Sequence, residues 1–450
     1  MPLSSNFRDF VPPPDHPRIT GLDKTTPEAY SAATLARPVV AEIVAGWKAN
    51  LEKPFYGITS DGTRREGLFA IADEGAPVAE MVTCAERVLN LLTPTELEQL
   101  SHPVDSDEWR KWSNPEFLIY HTGIRLEALP DATISAIHAL LRASTSEAGY
   151  ARLLAAMKTN RFLGEICNAV GIMNERSYQF TLYGTPSCTE PWGFSLFGHH
   201  LCVNIFVLGG QMVASPMFLG AEPNIIDTGP DTNISVLDSA NAAVDLPLRI
   251  MRSLPPHLQR AARVYEKLHD EHMPPGRWNP ADQVRPFFPI LNPGKRHLAG
   301  AFQDNRIIPY EGIPASAMPE PQQAHLRTVV ASFFEILPPG PLAARMRQIE
   351  RFWGETFFCW IGGFKSQNDY TGDDVGGVGD EGGEGGDGSD AFYYRIQSPV
   401  VLIEFDHHSG VFLLNKEPAR YHVHTVVRTP NGGDYGRGLL RALRGESGSG

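Results

Sequence analysis

Two histidines separated by a single residue, His422 and His424, lie near the C-terminus in a segment rich in β-branched residues. Alternate side chains of a β-strand share one face, so both imidazoles are predicted to point the same way. Glu404 and Asp406 show the same spacing in a segment shortly before, which fits a neighbouring antiparallel strand. Imidazoles and carboxylates are the ligands of zinc and of non-haem iron, so the pattern predicts a divalent metal site formed by His422, His424 and one or both carboxylates, with Asp406 as the candidate ligand. The alternative is that these are surface residues or hydrogen-bonded residues of the core.

A second histidine pair, His199 and His200, directly precedes the apolar segment 201–208. Adjacent residues of a strand point to opposite faces, so only one of the two is predicted to join a given site. On this reasoning His199 shares the apolar face of Leu201, and His200 shares the polar face of Cys202. Either histidine is a candidate ligand or general base, and a hydrogen-bonded structural histidine is the alternative.

Three further polar residues stand where strands are predicted to end. Glu222 is followed by a proline and is a candidate ligand or acid/base, with an ordinary loop glutamate as the alternative. Arg428 precedes a glycine-rich turn that contains Asp434, and its guanidinium could clamp a substrate carboxylate in a bidentate manner. We therefore expect Arg428 and Asp434 to orient a substrate, unless the turn is only a solvated surface feature.

The familiar catalytic signatures do not occur in the sequence. We find no GxSxG nucleophile elbow, no HExxH zinc helix and no Walker phosphate loop. No GxGxxG follows a predicted strand, which argues against a Rossmann dinucleotide site.

Charge and cysteine usage restrict the class of partner. The formal net charge of -13 disfavours nucleic acid and anionic membranes, which attract basic surfaces. No segment approaches the length of apolar chain that spans a bilayer, and the first residues do not resemble a signal peptide. The five cysteines are widely spaced without a CxxC pair, which predicts reduced thiols and a cytoplasmic location. The expected partner is therefore a small-molecule substrate.

The pattern of elements predicts an α+β fold. Helical periodicity dominates from Thr26 to Val170, beginning with Thr26-Pro27 as cap and first residue of a helix that runs towards Leu51. Strand patterns begin near Ser177, and Gly209-Gly210 marks a two-residue hairpin turn. A second strand group follows more helices and starts near Phe357. Because each group is too small to stand alone, we expect one mixed, mainly antiparallel sheet with the helical N-terminal part packed on it.

Three boundaries follow from composition. Residues 1–25 contain three consecutive prolines and are expected to form an extended arm. Residues 26–445 are expected to form a single α+β domain. Within it, residues 367–390 are rich in glycine and acidic residues, which predicts a disordered surface insertion. There is no repeat at the periods of solenoids or propellers.

Four sequence blocks resemble the family known as DUF3500, over roughly residues 140–440. They are WGFSLFGHHL at 192–201, FLGAEP at 218–223, FYYRI at 392–396 and HVHTVVRTPNGGDYG at 422–436. The family occurs in bacteria and fungi and has no settled activity. The resemblance implies that its blocks hold the polar residues identified above, and it adds Tyr435 as a catalytic candidate. It also implies that His408 is a weak ligand candidate, because that family position is often not histidine.

Together these patterns predict an enzyme that binds one zinc or iron ion through His422, His424 and one of His199, His200, Glu222 or Asp406. The metal would polarise a carbonyl or activate water in hydrolysis of a small organic substrate. Two alternatives use the same residues. One is a mononuclear Fe(II) oxygenase, and the other is a metal-free binding protein whose histidines line a ligand pocket.

Overall fold

The computed structural model describes residues 6–237, 242–268, 297–364 and 391–446 of the chain. These residues form eleven α-helices and one twelve-stranded sheet. Two of the strand pairs in the sheet are parallel, and the others are antiparallel. The α+β class and the mainly antiparallel sheet are therefore confirmed, and both strand groups lie in that sheet. The acidic insertion predicted at 367–390 lies outside the described residues.

The described residues contain the following helices and strands, each numbered in chain order. The helices are α1 Pro27–Leu35, α2 Pro38–Glu52, α3 Val78–Leu89, α4 Pro94–Leu100, α5 Asp131–Ser144, α6 Glu147–Ile166, α7 Asp245–Ser253, α8 Pro256–Ala262, α9 Glu320–Phe334, α10 Pro339–Arg351 and α11 Arg437–Arg444. The strands are β1 Ser101–His102, β2 Ile124–Arg125, β3 Tyr178–Tyr183, β4 Trp192–Gly198, β5 Leu201–Leu208, β6 Gln211–Ala221, β7 Arg263–Tyr265, β8 Ile313–Pro314, β9 Phe357–Gly362, β10 Phe392–Gln397, β11 Leu402–His408 and β12 Ala419–Arg428.

The order of elements between α3 and β6 recurs between α7 and β12. Each half consists of two helices, two short strands, two helices and a four-stranded meander. In each half the first short strand pairs in parallel, and the second antiparallel, with the first strand of the meander. The last strands of the two meanders, β6 and β12, pair with each other, so the sheet reads β3-β4-β5-β6-β12-β11-β10-β9. The fold is therefore an internal duplication with an approximate two-fold axis between β6 and β12.

Local sequence explains where the first helices begin. The Thr26 side chain accepts a hydrogen bond from the amide of Ala29, as predicted for a cap followed by proline. The single helix expected to reach Leu51 is instead two, because Pro38 lacks an amide hydrogen and starts a new helix after the extended residue Arg37. Thr93 and Glu96 form a reciprocal capping box at the start of α4.

The N-terminal residues differ from the extended arm that the prolines suggested. Residues 7–10 and 22–24 form short 3-10 helices, and the side chains of Phe7 and Ile19 are buried. Phe7 packs edge-on against Phe162 of α6, so this segment is part of the packed molecule.

The two faces of the sheet are both covered. Leu201, Val203 and Ile205 of β5 belong to the main apolar cluster, while Cys202 and Phe206 belong to a second cluster on the opposite face. A sheet that is buried on both faces presents its functional groups mainly at strand ends and turns. The described helices include none with the length and apolar character needed to cross a membrane.

Candidate metal centre

Three histidines from both halves of the fold converge at one end of the β6–β12 pair. His422 and His424 are alternate residues of β12, and their side chains lie on one face, as the spacing predicts. His200 comes from the tight turn between β4 and β5, with a backbone φ of 60°. The three side chains are almost completely buried.

Gly220 of β6 makes room for this convergence. It lies directly opposite His424 in the β6–β12 ladder, and its amide donates to the carbonyl oxygen of His200. A Cβ atom at Gly220 would stand 2.8 Å from Cδ2 of His424 and 3.0 Å from Cδ2 of His200. Only glycine at this position lets the two rings approach each other across the strand.

The three Nε2 atoms face one another. Nε2 of His424 lies 3.1 Å from Nε2 of both His200 and His422, and the remaining pair is 3.4 Å apart. Two imidazole nitrogens on one tetrahedral zinc ion, each about 2.0–2.1 Å from it, are about 3.3 Å apart. The spacing of the three nitrogens is therefore that of ligands around a shared ion.

The electrostatic environment disfavours protonation of two of these imidazoles, His200 and His424. Burial, followed by the charges of neighbouring histidines, lowers the pKa of His200 and of His424 well below the ordinary value of 6.5. A neutral imidazole has a lone pair on one ring nitrogen, which is the form that binds a metal ion.

A hydrogen bond fixes the orientation of one ring. Nδ1 of His422 donates to the carbonyl oxygen of Ser409 at 2.7 Å, which leaves Nε2 as the lone-pair nitrogen. Such a bond from the nitrogen that does not coordinate is the usual support of a metal-binding histidine. The tautomer of His422 is thus the one that a shared ion requires.

His408 lies beside the three histidines, although the family resemblance weakened it as a candidate. Its ring centre is 4.6 Å from that of His424 and 4.9 Å from that of His422. The β11–β12 register shifts between His407 and His408, and this bulge redirects the strand at the point where His408 meets the cluster.

Asp406 pairs with a histidine that the sequence patterns did not single out. Oδ1 of Asp406 lies 2.6 Å from Nε2 of His297, and Asp406 is directly opposite His424 across β11 and β12. His297, Asp406 and His424 form a second group whose ligand atoms lie within 4.8 Å of one another. His297 stands alone in the sequence KRHLAG, far from every other candidate, so no spacing signal could have revealed it.

Glu404 shares a face with Asp406, as predicted, but has a different environment. Its carboxylate accepts hydrogen bonds from the amides of Leu298 and Ala299 and from the hydroxyl of Tyr393. These bonds hold the segment that carries His297 against the sheet. Glu404 therefore positions that segment and does not lie among the three convergent histidines.

His199 and His200 do not alternate across a strand, so the assignment of opposite strand faces was wrong. Both residues form the two-residue turn between β4 and β5, and their rings stack with centres 3.9 Å apart. Nδ1 of His199 pairs with Oδ1 of Asn160 in α6 at 2.8 Å. Burial lowers the pKa of His199 to about 3. His199 thus supports the ring of His200 and does not face the other two imidazoles.

Glu222 lies close behind His422, but its carboxylate is occupied. Oε1 accepts hydrogen bonds from the consecutive amides of Val411, Phe412 and Leu413, at 2.8, 3.1 and 3.0 Å. Oε1 is also 3.8 Å from Nδ1 of His422. Glu222 therefore anchors the loop after β11, next to the carbonyl that orients His422.

Arg428, Asp434 and Tyr435 form a separate buried network. Nη1 of Arg428 lies 2.8 Å from Oδ1 of Asp304 and 3.2 Å from Oδ2 of Asp434. Its other nitrogens donate to the carbonyl oxygens of Ala299 and Gly300, and the Tyr435 hydroxyl donates to Asp304. The structure places these side chains in bonds within the protein. Arg428 itself is four residues along β12 from His424, roughly 13 Å away.

Comparison with known proteins gives a family for the chain. The model of the family described as "Protein of unknown function (DUF3500)" matches residues 74–371 and 381–437. The chain therefore belongs to the DUF3500 family, and the resemblance seen in the four sequence blocks is confirmed. No curated protein and no solved structure matches the chain.

Proposed function

We propose that the protein is a metal-dependent enzyme that binds one divalent ion through His200, His422 and His424. The observation that supports this most directly is the 3.1–3.4 Å spacing of the three Nε2 atoms. Three buried imidazoles whose Nε2 atoms face one point have lost contact with water. A cation at that point would satisfy all three lone pairs.

The ligand set favours zinc and hydrolysis over iron and oxygen chemistry. Three histidines are the protein ligands of a known class of catalytic zinc site, whereas the common non-haem iron site uses two histidines and one carboxylate. The carboxylates nearest the triad, Glu222 and Asp406, are engaged with backbone amides and with His297 respectively. A bound divalent ion would supply Lewis acidity for a carbonyl or a water molecule.

The residues around the triad would position and shield that ion. His199 stacks on His200, the Ser409 carbonyl orients His422, and Glu222 holds the loop that follows Ser409. The buried His297–Asp406 pair beside His424 is a group that could hold a proton for a substrate. All five cysteines are free thiols, which fits an enzyme of a reducing compartment such as the cytoplasm.

Metal analysis of the protein, purified without added metal, tests the proposal. We expect about one equivalent of zinc, and its loss in the variants His422→Ala and His424→Ala. His325→Ala is the matched control, because His325 lies exposed on α9. Hydrolysis of a panel of small esters and amides should require the bound metal and disappear in the same two variants.

Other outcomes separate the alternatives. Iron at one equivalent, with oxygen consumption on reduction, would favour the Fe(II) oxygenase. Protein that stays metal-free after incubation with zinc and iron, and whose ligand binding is the same in the His422→Ala and His424→Ala variants, would contradict both enzyme proposals.

A further inference from the structure

A second site is suggested by a cavity at the opposite end of the duplicated sheet. This cavity of about 330 Å³ lies between α10, the segment 67–74 and the first residues of β6. Thr429 lines it, and five residues of extended chain, roughly 16 Å, separate Thr429 from His424. The cavity is therefore distinct from the three-histidine centre, and it has the size of a small-molecule site.

The internal duplication relates the position of the cavity to that of the histidines. His200 lies in the turn between the second and third meander strands of the first half, beside β12 of the second half. The corresponding turn of the second half, residues 398–401, lies beside the cavity, because Arg345 in the cavity wall donates to Val400 O at 2.8 Å. The cavity is also lined by Met212, Val213 and Ala214 of β6. The equivalent turns of the two halves thus have different surroundings. Imidazoles lie at the turn of the first half, and a guanidinium group lies at the turn of the second half.

Arg345 is a cation without a carboxylate partner among the described residues. It is half-buried, donates to Val400 O and to the Thr429 hydroxyl, and lies over the ring of Phe334. The most deeply buried arginines behave differently. Arg110 and Arg428 pair with Asp304, and Arg395 pairs with Glu311.

An unmatched guanidinium in such a wall is costly unless an anion approaches it. Burial lowers the pKa of Arg345 to about 10, so the group still carries its charge at neutral pH. The oxygens of Val400, Thr429 and Gln348 satisfy its hydrogen bonds but supply no negative charge. The carboxylates of Asp434 and Glu74 act on Arg345 without forming an ion pair with it, and the cavity is where an anion could contact the guanidinium directly.

The other charged groups of the cavity leave a positive excess. Arg347 and Arg351 of α10 also line it, are exposed, and form no ion pair with any described residue. Asp73 and Glu74 line it too, and their carboxylates accept hydrogen bonds from the amide of Gly75 and from the side-chain amide of Gln211, respectively. The three arginines outnumber these two carboxylates, so the cavity wall carries an excess of one positive charge.

We propose that this cavity binds a small organic anion whose carboxylate or phosphate lies against Arg345, Arg347 and Arg351. The apolar part of the ligand packs against Phe69, Phe334 and Phe352, which line the same cavity. Guanidinium groups recognise either anion through charge-assisted hydrogen bonds. The proposal does not depend on metal binding at the three histidines.

Calorimetric titration of the full chain with benzoate, phenyl phosphate and the neutral analogue benzyl alcohol tests the proposal at low salt. We expect saturable millimolar or tighter binding of at least one anion, and weaker binding in high salt. The double variant Arg347→Gln/Arg351→Gln should weaken it by at least about tenfold. The matched control is Arg87→Gln, because Arg87 is exposed on α3 and forms no ion pair with a described residue.

The anion that binds identifies the class of ligand, since benzoate reports a carboxylate site and phenyl phosphate a phosphate site. Arg345→Gln is measured only after its unfolding transition is shown to match that of the parent protein. The proposal is overturned if neither anion binds at millimolar concentration, or if benzyl alcohol binds as tightly as the anions. It is equally overturned if Arg87→Gln weakens binding as much as the double variant does.

Discussion

His200 and His424 belong to different halves of a duplicated fold, and their Nε2 atoms lie 3.1 Å apart. His200 stands in the first meander, and His424 stands on the last strand of the second. Among the described strands, the two meanders pair with each other only through β6 and β12, and the histidines lie at one end of that junction. An ion bound between them would link the halves, so metal binding and folding should be coupled.

Removing the metal should therefore lower the stability of the whole chain. A ligand that binds only the folded state at a thousandfold excess over its Kd stabilises it by about 4 kcal/mol. We expect chelation to lower the Tm of the parent protein and to leave the Tm of His200→Ala unchanged, in thermal unfolding followed by circular dichroism. An equal response of parent and variant to the chelator would show that the effect lies elsewhere.

Filling the space at Gly220 should disrupt the site without removing a ligand. In Gly220→Ala the new Cβ atom would crowd the rings of His424 and His200 and lie 2.8 Å from the Val423 carbonyl oxygen. We expect metal affinity to fall at least about tenfold and stability to fall by about 1–3 kcal/mol, because packed rings must shift.

Gly354→Ala is the control for Gly220→Ala. A Cβ atom there meets no atom within 4 Å, so the substitution adds the same methyl group without a clash. Metal affinity measured by competition with a chromophoric chelator should be unchanged in this variant. A Gly220→Ala protein that binds metal as tightly as Gly354→Ala would contradict the proposed arrangement of the rings.

Part of the site could be predicted from sequence because strand periodicity is a local property. The shared face of His422 and His424 follows from their spacing alone, and β12 has the predicted course. The position of His200 does not follow in the same way, because it depends on a turn with positive φ that no residue type demands. His199 and His200 were therefore assigned to strand faces that they do not occupy.

The duplication and His297 illustrate the limits of sequence patterns in another way. Gly123-Ile124 and Gly312-Ile313 start equivalent short strands, with positive φ at both glycines, and a proline precedes the next helix in each case. Such sparse matches across a long separation become visible only when the sheet pairings are known. His297 reaches the site through the long-range bonds of Glu404, which local spacing does not encode.

Neutralising Glu222 should loosen the loop that orients His422. The Glu222 carboxylate accepts hydrogen bonds from three backbone amides. In Glu222→Gln an NH2 group replaces one carboxylate oxygen, so a side-chain donor would face backbone N–H donors. We expect a loss of roughly 2–4 kcal/mol in urea unfolding, because buried amides lose a charged acceptor. Glu417→Gln, an exposed site in the following turn, should change stability by less than about 0.5 kcal/mol. Comparable losses in the two variants would argue against the anchoring role of Glu222.

Glu116 should make the protein less stable as the pH rises. Burial raises the pKa of this carboxyl from 4.5 to about 7, even though the Tyr30 hydroxyl donates to it. Between these values the folded chain retains a proton that the unfolded chain has released, so stability falls with rising pH and is lowest above the folded pKa. The full shift corresponds to roughly 3 kcal/mol.

The variant Glu116→Gln isolates this contribution, because its amide oxygen can still accept the bond from Tyr30. We expect parent and variant to differ little at about pH 5 and the variant to gain up to about 3 kcal/mol relative to the parent at about pH 8. Urea unfolding at both pH values measures the difference between the two proteins and cancels the groups they share. A difference that does not change with pH would mean that Glu116 titrates as an ordinary carboxyl, and that the folded protein compensates its charge by other means.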